Sequence, residues 1–334
     1  MVLAAGLGTR LRPLTLLAAK PVLPVLNRPL LHWTLERLAR AGVREVLINT
    51  HHRPGTVRRA IGDGRAFGLR VRYAHERRIL GTGGGPRAVR AFFGREPFLL
   101  VNGDVLFDFD LGAIVARHRA SGAGVTLVLK AHADVGAYGG VVTRRDGTIL
   151  SIAGLPQPAP GRGALFTGVH VLDPALLDRL PPGPSDSVRD LYAPLLAEGA
   201  LLRGERVRGA WYDFGSPSLY LASQIALLSR GFAGAARGGL VDPAAAVHPA
   251  ARVGRAVVGR RCRIAERAVV EGSVLWEGVR VGPGARVRNS VLTTGASVAA
   301  GETIEGQVVI PSRRLRKRPA RSRLRAGQYY VGLS

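Results

Sequence analysis

The sequence predicts an α/β layer fold with a mixed, mostly parallel sheet, followed by a short parallel β-helix. Three observations carry that reading. Short apolar runs alternate with amphipathic stretches through the first two-thirds of the chain, a small, Gly-rich stretch interrupts the pattern at 231–239, and a strict 17-residue recurrence follows it.

Taken in order, the apolar runs at 2–5, 45–49, 70–73, 98–101 and 125–129 read as strands, with helices over 30–41 and 111–120 between several of them. Alternation of this kind favours parallel pairing, and ligands then gather at the carboxyl ends of the strands. After the break, Val, Ile or Leu stands at 247, 253 and 258, at 264, 270 and 275, at 281, 287 and 292, and at 298, 304 and 309. Each set is displaced by 17 from the last, so four coils of one repeat stack about 4.8 Å apart. The expected organisation is a first domain over 1–228, a linker over 229–245, a β-helix over 246–312 and a basic tail over 313–334.

Length and composition set the outer limits. At 334 residues the chain suits about two domains, each with its own core. Hydrophobic residues at 46% and charged residues at 21% exclude a mostly disordered chain. A single cysteine, Cys262, excludes an intramolecular disulfide framework and fits a reducing cytoplasm, where it serves as a small filler of the repeat. No signal peptide or membrane span is read. The net charge of +25 suits polyanionic ligands, yet aromatics at 6% leave few stacking platforms for a single-strand binder, so nucleotides fit at least as well as nucleic acid and no specific nucleic acid is expected. Eight of the basic residues crowd 313–334, with no acid after Glu305; this tail reads as a solvated, partly disordered extension able to touch anionic surfaces.

The chemistry concentrates in four segments. The first strand leads into Gly6-Leu7-Gly8-Thr9-Arg10-Leu11-Arg12-Pro13, with Lys20-Pro21 beyond it. Glycines let backbone N–H groups approach phosphate oxygens, and cations there neutralise charge on a transferring phosphoryl group. Neither a Walker loop nor the dinucleotide fingerprint fits, because no Gly-Lys-Ser/Thr follows and Leu11 stands where the third glycine belongs. Only three of 48 basic residues are lysines, which singles out Lys20. Asn102-Gly103-Asp104 closes the run at 98–101 and offers a carboxylate to Mg²⁺, and Trp211-Tyr212-Asp213-Phe214-Gly215 offers a second. Residues 81–85, Gly81-Thr82-Gly83-Gly84-Gly85, read as a flexible loop able to close on a base or phosphate.

Together with Ile48-Asn49-Thr50-His51-His52 and Phe166-Thr167-Gly168, these segments resemble the sugar-1-phosphate nucleotidylyltransferases over nearly the whole chain. The resemblance implies a Rossmann-like nucleotidyltransferase domain and a left-handed β-helix, as in proteins similar to mannose-1-phosphate guanylyltransferases. It implies that Gly6, Gly8 and Thr9 line the nucleotide, Arg10 grips the triphosphate and Lys20 bridges the α-phosphate and the incoming sugar phosphate. Asp104 and Asp213 would hold Mg²⁺, while Gly81, Thr82, Gly83 and Asn102 would face the nucleotide. Tyr138, Gly139, Thr167 and Gly168 would border the sugar. The implied partners are an NTP, GTP or UTP, and a sugar 1-phosphate, with a homo-oligomer expected.

One departure touches the sugar. Many relatives carry Glu-Lys-Pro upstream of the Phe-Thr-Gly turn, whereas this chain reads Gly154-Leu155-Pro156, with no Glu between Glu96 and Glu198. That opens alternatives: a uridylyltransferase for N-acetylmuramate 1-phosphate or another hexose 1-phosphate, a guanylyltransferase for heptose phosphates, or a catalytically silent nucleotide-sugar-binding subunit. Arg162 or Arg189 is the candidate replacement for the lost cation. His51-His52 reads as a strand-end turn without zinc-like partners, and His248 as a lone histidine that does not make the solenoid an acyltransferase.

Overall fold

The computed structural model describes residues 1–132, 135, 139–232 and 238–333. The chain divides into two compact units, one of Met1–Leu7 with Leu31–Tyr212 and the other of Gly8–Leu30 with Asp213–Ser334. The division does not follow the expected boundary at 228. Residues 8–30 find their partners in the second unit, where the Leu26 amide donates to Gln224 Oε1 at 3.0 Å and Asn27 Nδ2 donates to the Val258 carbonyl at 2.8 Å.

The first unit is built on a seven-stranded sheet. Its strands are β1 (Val2–Ala4), β2 (Glu45–Thr50), β3 (Arg70–His75), β4 (Phe98–Asn102), β6 (Val125–Lys130), β7 (Leu165–Leu172) and β8 (Leu202–Arg206), in the order β8-β6-β7-β4-β1-β2-β3. β5 (Val105–Phe107) pairs separately with β9 (Trp211–Asp213). Only β7 runs antiparallel to its neighbours β4 and β6; the other sheet pairs are parallel. The expected mixed, mostly parallel sheet is therefore present. Helices α1 (Leu30–Arg40), α2 (Pro54–Ile61), α3 (Gly81–Ala88) and α4 (Leu111–Ser121) connect the strands, and the bounds read from the apolar runs agree to within two residues. Strands buried on both faces read as continuous apolar runs, which is why they were legible: Val125, Leu127, Val128 and Leu129 are all fully buried.

The second unit begins with short 3₁₀ turns at Thr9–Leu11, Leu14–Leu16 and Lys20–Val22 and continues from α5 (Pro217–Ser229) into the solenoid. Ser216 caps α5 by accepting from the Leu219 amide at 3.2 Å. Three columns of parallel strands form the solenoid, each strand pairing with the one 17 residues on, as Val247 with Ile264, Ile264 with Val281 and Val281 with Val298. Ten of the twelve periodic positions are buried in one core, and Val247 and Val253 pack against it partly buried. A stack of short rungs cannot bury an apolar face alone, so the 17-residue register is the fold's stabilising feature.

Two expectations about this unit are corrected. Gly239–Val241 is already a rung, paired with Ala256–Val258, so the solenoid starts inside the stretch read as linker. The basic tail, read as partly disordered, is folded. β10 (Gln307–Pro311) is followed by β11 (Ser322–Arg325) and β12 (Gln328–Gly332), and β12 lies antiparallel between the other two. Charge misled the reading, because an open solenoid end leaves a row of unpaired N–H and C=O groups that this hairpin covers.

Candidate active site

β1 lies between β2 and β4, so the chain leaves the sheet in opposite directions on either side of it. Such a switch point opens a crevice at the carboxyl ends of the strands. β1 runs out into Gly6, which is exposed and has no atom within 4 Å of where a Cβ would stand. β4 runs out into Asn102-Gly103-Asp104. The Gly103 amide donates to the Leu3 carbonyl at 2.8 Å, and a Cβ on Gly103 would lie at the same distance from that oxygen. Glycine thus lets this turn close against the end of β1, leaving Asp104 half-buried beside it in sequence. Gly168, at φ +77, sits where any Cβ would come within 2.6 Å of Asn102 Nδ2.

A buried polar chain supports this end of the sheet, and sequence reasoning missed it. The Ala4 amide donates to Asn49 Oδ1 at 2.6 Å, Asn49 Nδ2 donates to Glu76 Oε1 at 2.7 Å, and Glu76 Oε2 accepts from the Leu80 amide at 2.9 Å. Asn49 and Glu76 are both buried, so these bonds tie the exit of β1 to the entry of α3. Asn49 was visible only as part of a motif, and nothing in the spacing announces Glu76 as its partner.

In the second unit, Gly8 takes a left-handed conformation at φ +60, and a Cβ there would stand 2.7 Å from Thr15 Cγ2 and 3.4 Å from Lys20 Cβ. Thr15 Oγ1 donates back to the Gly8 carbonyl at 2.9 Å, which fixes the bend. Thr9 and Arg10 follow it, both exposed. Lys20 is buried, and its Nζ stands 3.5 Å from Asp213 Oδ1, the two side chains being 9% and 12% exposed. A charge in that position demands an anionic partner, and at 3.5 Å the pair is a loose one. Asp213 is anchored through its backbone, the carbonyl accepting from Ser223 Oγ at 3.1 Å. A Cβ on Gly215 would come within 2.8 Å of Asp213 Oδ2, so glycine there makes room for the carboxylate.

Other expected site residues are placed differently. Residues 81–85 are not a flexible loop: they form the first part of α3, and Gly83, Gly84 and Gly85 are buried. The reason is close packing. A Cβ on Gly84 would stand 2.1 Å from the Gly183 carbonyl oxygen, and the Gly83 amide already donates to the Ser185 carbonyl at 2.9 Å. Thr82 Oγ1 donates to Asp186 Oδ2 at 3.1 Å and accepts from the Ser187 amide at 2.9 Å. Thr167 is fully buried, its hydroxyl donating to the Val128 carbonyl at 2.9 Å while its own carbonyl accepts from Trp211 Nε1 at 2.9 Å. Gly139 stands at φ +72 against Ala153, and Tyr138 lies outside the described residues. Arg189 is paired with Asp190 at 3.0 Å, and Arg162 is exposed. His51 Nδ1 meets the Glu76 carbonyl at 2.8 Å, as a strand-end residue does. His170 is buried against the Tyr192 hydroxyl at 2.5 Å, and burial pushes its pKa down to about 3.

Residues 1–230 match the family described as nucleotidyl transferase, and residues 225–313 match the GlmU-like, C-terminal hexapeptide family, which leaves 314–334 outside both. The chain is similar to the mannose-1-phosphate guanylyltransferase of Mycobacterium tuberculosis, at 37% identity over 84% of this chain and 80% of that protein. It is also similar to the UTP--glucose-1-phosphate uridylyltransferase of Synechocystis, at 30% identity over 84% of this chain and 83% of that one. Among solved structures, a putative glucose-1-phosphate thymidylyltransferase from Bacillus anthracis superimposes with a TM-score of 0.58 over 68% of this chain and 93% of that one, at 22% identity.

Proposed function

Because the chain belongs to the nucleotidyl transferase family, we propose that it transfers a guanylyl group from GTP to mannose 1-phosphate, releasing pyrophosphate and GDP-mannose. The observation that carries the chemistry is Lys20, a buried ammonium facing the Asp213 carboxylate across 3.5 Å. The choice of base and sugar rests on the similarity to the Mycobacterium tuberculosis protein.

In this reading Gly6 and Gly8 keep side chains away from the triphosphate, so that backbone N–H groups approach its oxygens. The exposed Arg10 binds the outgoing phosphates through its guanidinium. Lys20 neutralises charge on the α-phosphate as the sugar phosphate oxygen attacks in line and pyrophosphate leaves. The attacking phosphate is already ionised at neutral pH, and no general base is needed.

The acidic residues fit magnesium. Among the described residues no group of three or more His, Cys, Asp or Glu side chains is arranged to hold a metal, so no all-protein cage is built. Magnesium asks for less, taking one or two carboxylates and filling its octahedron with water and phosphate oxygens. Asp104, directly before β5, and Asp213, the last residue of β9, are the carboxylates that would hold it. Bound there, Mg²⁺ supplies charge neutralisation and orientation of the triphosphate. The Asn102 side chain and the exposed Gly81 are the remaining candidates to face the nucleotide, with Gly139 and Gly168 towards the sugar.

The test is pyrophosphate release from each of the four NTPs against mannose, glucose, heptose and N-acetylmuramate 1-phosphates. GTP with mannose 1-phosphate is expected to give the highest kcat/KM. A higher value for UTP with a hexose phosphate replaces the specificity and keeps the chemistry; no release with any pair, under Mg²⁺, overturns both.

A further inference from the structure

The hairpin that closes the solenoid carries a surface unlike the rest of the molecule. After Glu305 the chain has eight basic residues and no acidic one, and the structure gathers them on one folded cap. Arg325 pairs with Glu302 at 3.3 Å, and Arg318, exposed like the others, donates to the Ser322 carbonyl. Arg313, Arg314, Arg316, Lys317, Arg321 and Arg323 are exposed. On β11, the outermost strand, Leu324 stands between Arg323 and Arg325 and is 56% exposed.

Charged edge strands protect a sheet from pairing with another copy, and Arg323 and Arg325 serve that purpose. That explanation stops at the strand. It covers neither the four cations at 313–317, which precede it, nor an exposed leucine in the middle of it. Leu324 shares its face of the strand with Tyr329, its cross-strand partner, and an exposed apolar side chain on a cap this rich in cations fits a surface with anionic headgroups over an apolar interior. Nucleic acid fits less well: a single strand bound without sequence preference draws on exposed aromatic platforms, and phosphate contacts to a duplex give an exposed leucine nothing to do. The cap's aromatics are Tyr329 and Tyr330, both on the middle strand β12 and partly buried, Tyr330 against the solenoid core.

We propose that this cap docks the protein on an anionic lipid surface, through the cations of 313–323 and the side chain of Leu324. No helix among the described residues is long and apolar enough to cross a membrane, so the association is peripheral. Each basic residue near such a surface adds to the attraction, a contribution that salt screens.

The test is cosedimentation of the full chain with vesicles of phosphatidylcholine alone or mixed with phosphatidylglycerol, at low and physiological salt. Retention is expected on the mixed vesicles only and is expected to weaken as salt rises. Replacing Arg313→Gln, Arg314→Gln, Arg316→Gln and Lys317→Gln together should weaken it at least about tenfold, with thermal unfolding and pyrophosphate release unchanged. Leu324→Ser should weaken vesicle binding while leaving retention on heparin as it was. The proposal is overturned by equal retention on neutral vesicles, by no retention at low salt, by indifference to the fourfold substitution, or by tighter binding to duplex DNA or RNA than to vesicles.

Discussion

Two stretches of this chain carry clustered glycines, and they use them for opposite purposes. At Gly6 the space where a Cβ would stand is open to 4 Å in every direction, whereas at Gly84 it holds the Gly183 carbonyl oxygen at 2.1 Å. The first stretch lacks side chains so that something from outside can approach. The second lacks them so that a helix can press against a neighbouring segment of its own unit. Glycine in a sequence marks close approach, but it does not say to what.

The sharpest way to break this contrast is to remove the chemistry from the open side. Asp104→Asn keeps shape and loses a charge, and is expected to lower pyrophosphate release about a thousandfold with thermal unfolding unchanged; Asp213→Asn should behave alike. Turnover near that of the parent in both variants sinks the metal assignment. Lys20→Ala comes next, at about a hundredfold in kcat, measured against Lys130→Ala as control. Lys130 donates to the Gly209 carbonyl on an exposed surface and should change turnover little. Equal losses would make Lys20 an ordinary buried cation.

On the packed side the readout is stability. An alanine in a helix is worth about 1 kcal/mol more than glycine, so propensity alone says that Gly84→Ala stabilises. The clash reverses the sign: the obstacle is backbone, which cannot swing away, and overpacking costs about 1–3 kcal/mol beyond that gain. A lowered Tm is expected, and a raised one would show that α3 does not sit tightly on 183–186. Acid probes the same unit. His170 has its pKa depressed to about 3 by burial, so below the ordinary histidine value near 6.5 the unfolded chain binds a proton that the folded one refuses. Stability is fully present above that value and falls with pH by about 1.4 kcal/mol per unit, roughly 2 kcal/mol at pH 5. His170→Asn should flatten that part of the Tm profile.

The same contrast explains what could be read in the sequence. Parallel strands buried on both faces appear as apolar runs, and a stacked solenoid repeats its core at a fixed interval, so both architectures were legible from residues such as Val125 and Ile264. The cationic turn and the two aspartates stand out in the sequence because polar residues at strand ends have a chemical signature. Three things do not. Gly83 and Gly84 obey a neighbour a hundred residues away, Asn49 and Glu76 bond across 27 residues of chain, and the basic tail follows the open end of the solenoid against its own charge. In the first two the deciding partner is distant in sequence, and local pattern carries no trace of it; in the third the partner strands are near, but a charge-rich stretch has no apolar run to announce the pairing.

The smallest expected effect is the one that tests the open side most directly. Gly6 is not among the glycines held at positive φ, and no atom lies near its absent Cβ, so Gly6→Ala can be accommodated without strain. Stability should therefore move by no more than about 0.5 kcal/mol, with a slight gain if the unfolded chain loses freedom. If this turn lies against phosphate oxygens, the added methyl stands between them and the backbone amides, and KM for the NTP should rise several-fold while KM for the sugar phosphate holds. A variant with unaltered KM for both substrates would mean that the empty space at Gly6 is solvent-facing and unused, and the nucleotide would have to be sought nearer Gly8 and Lys20.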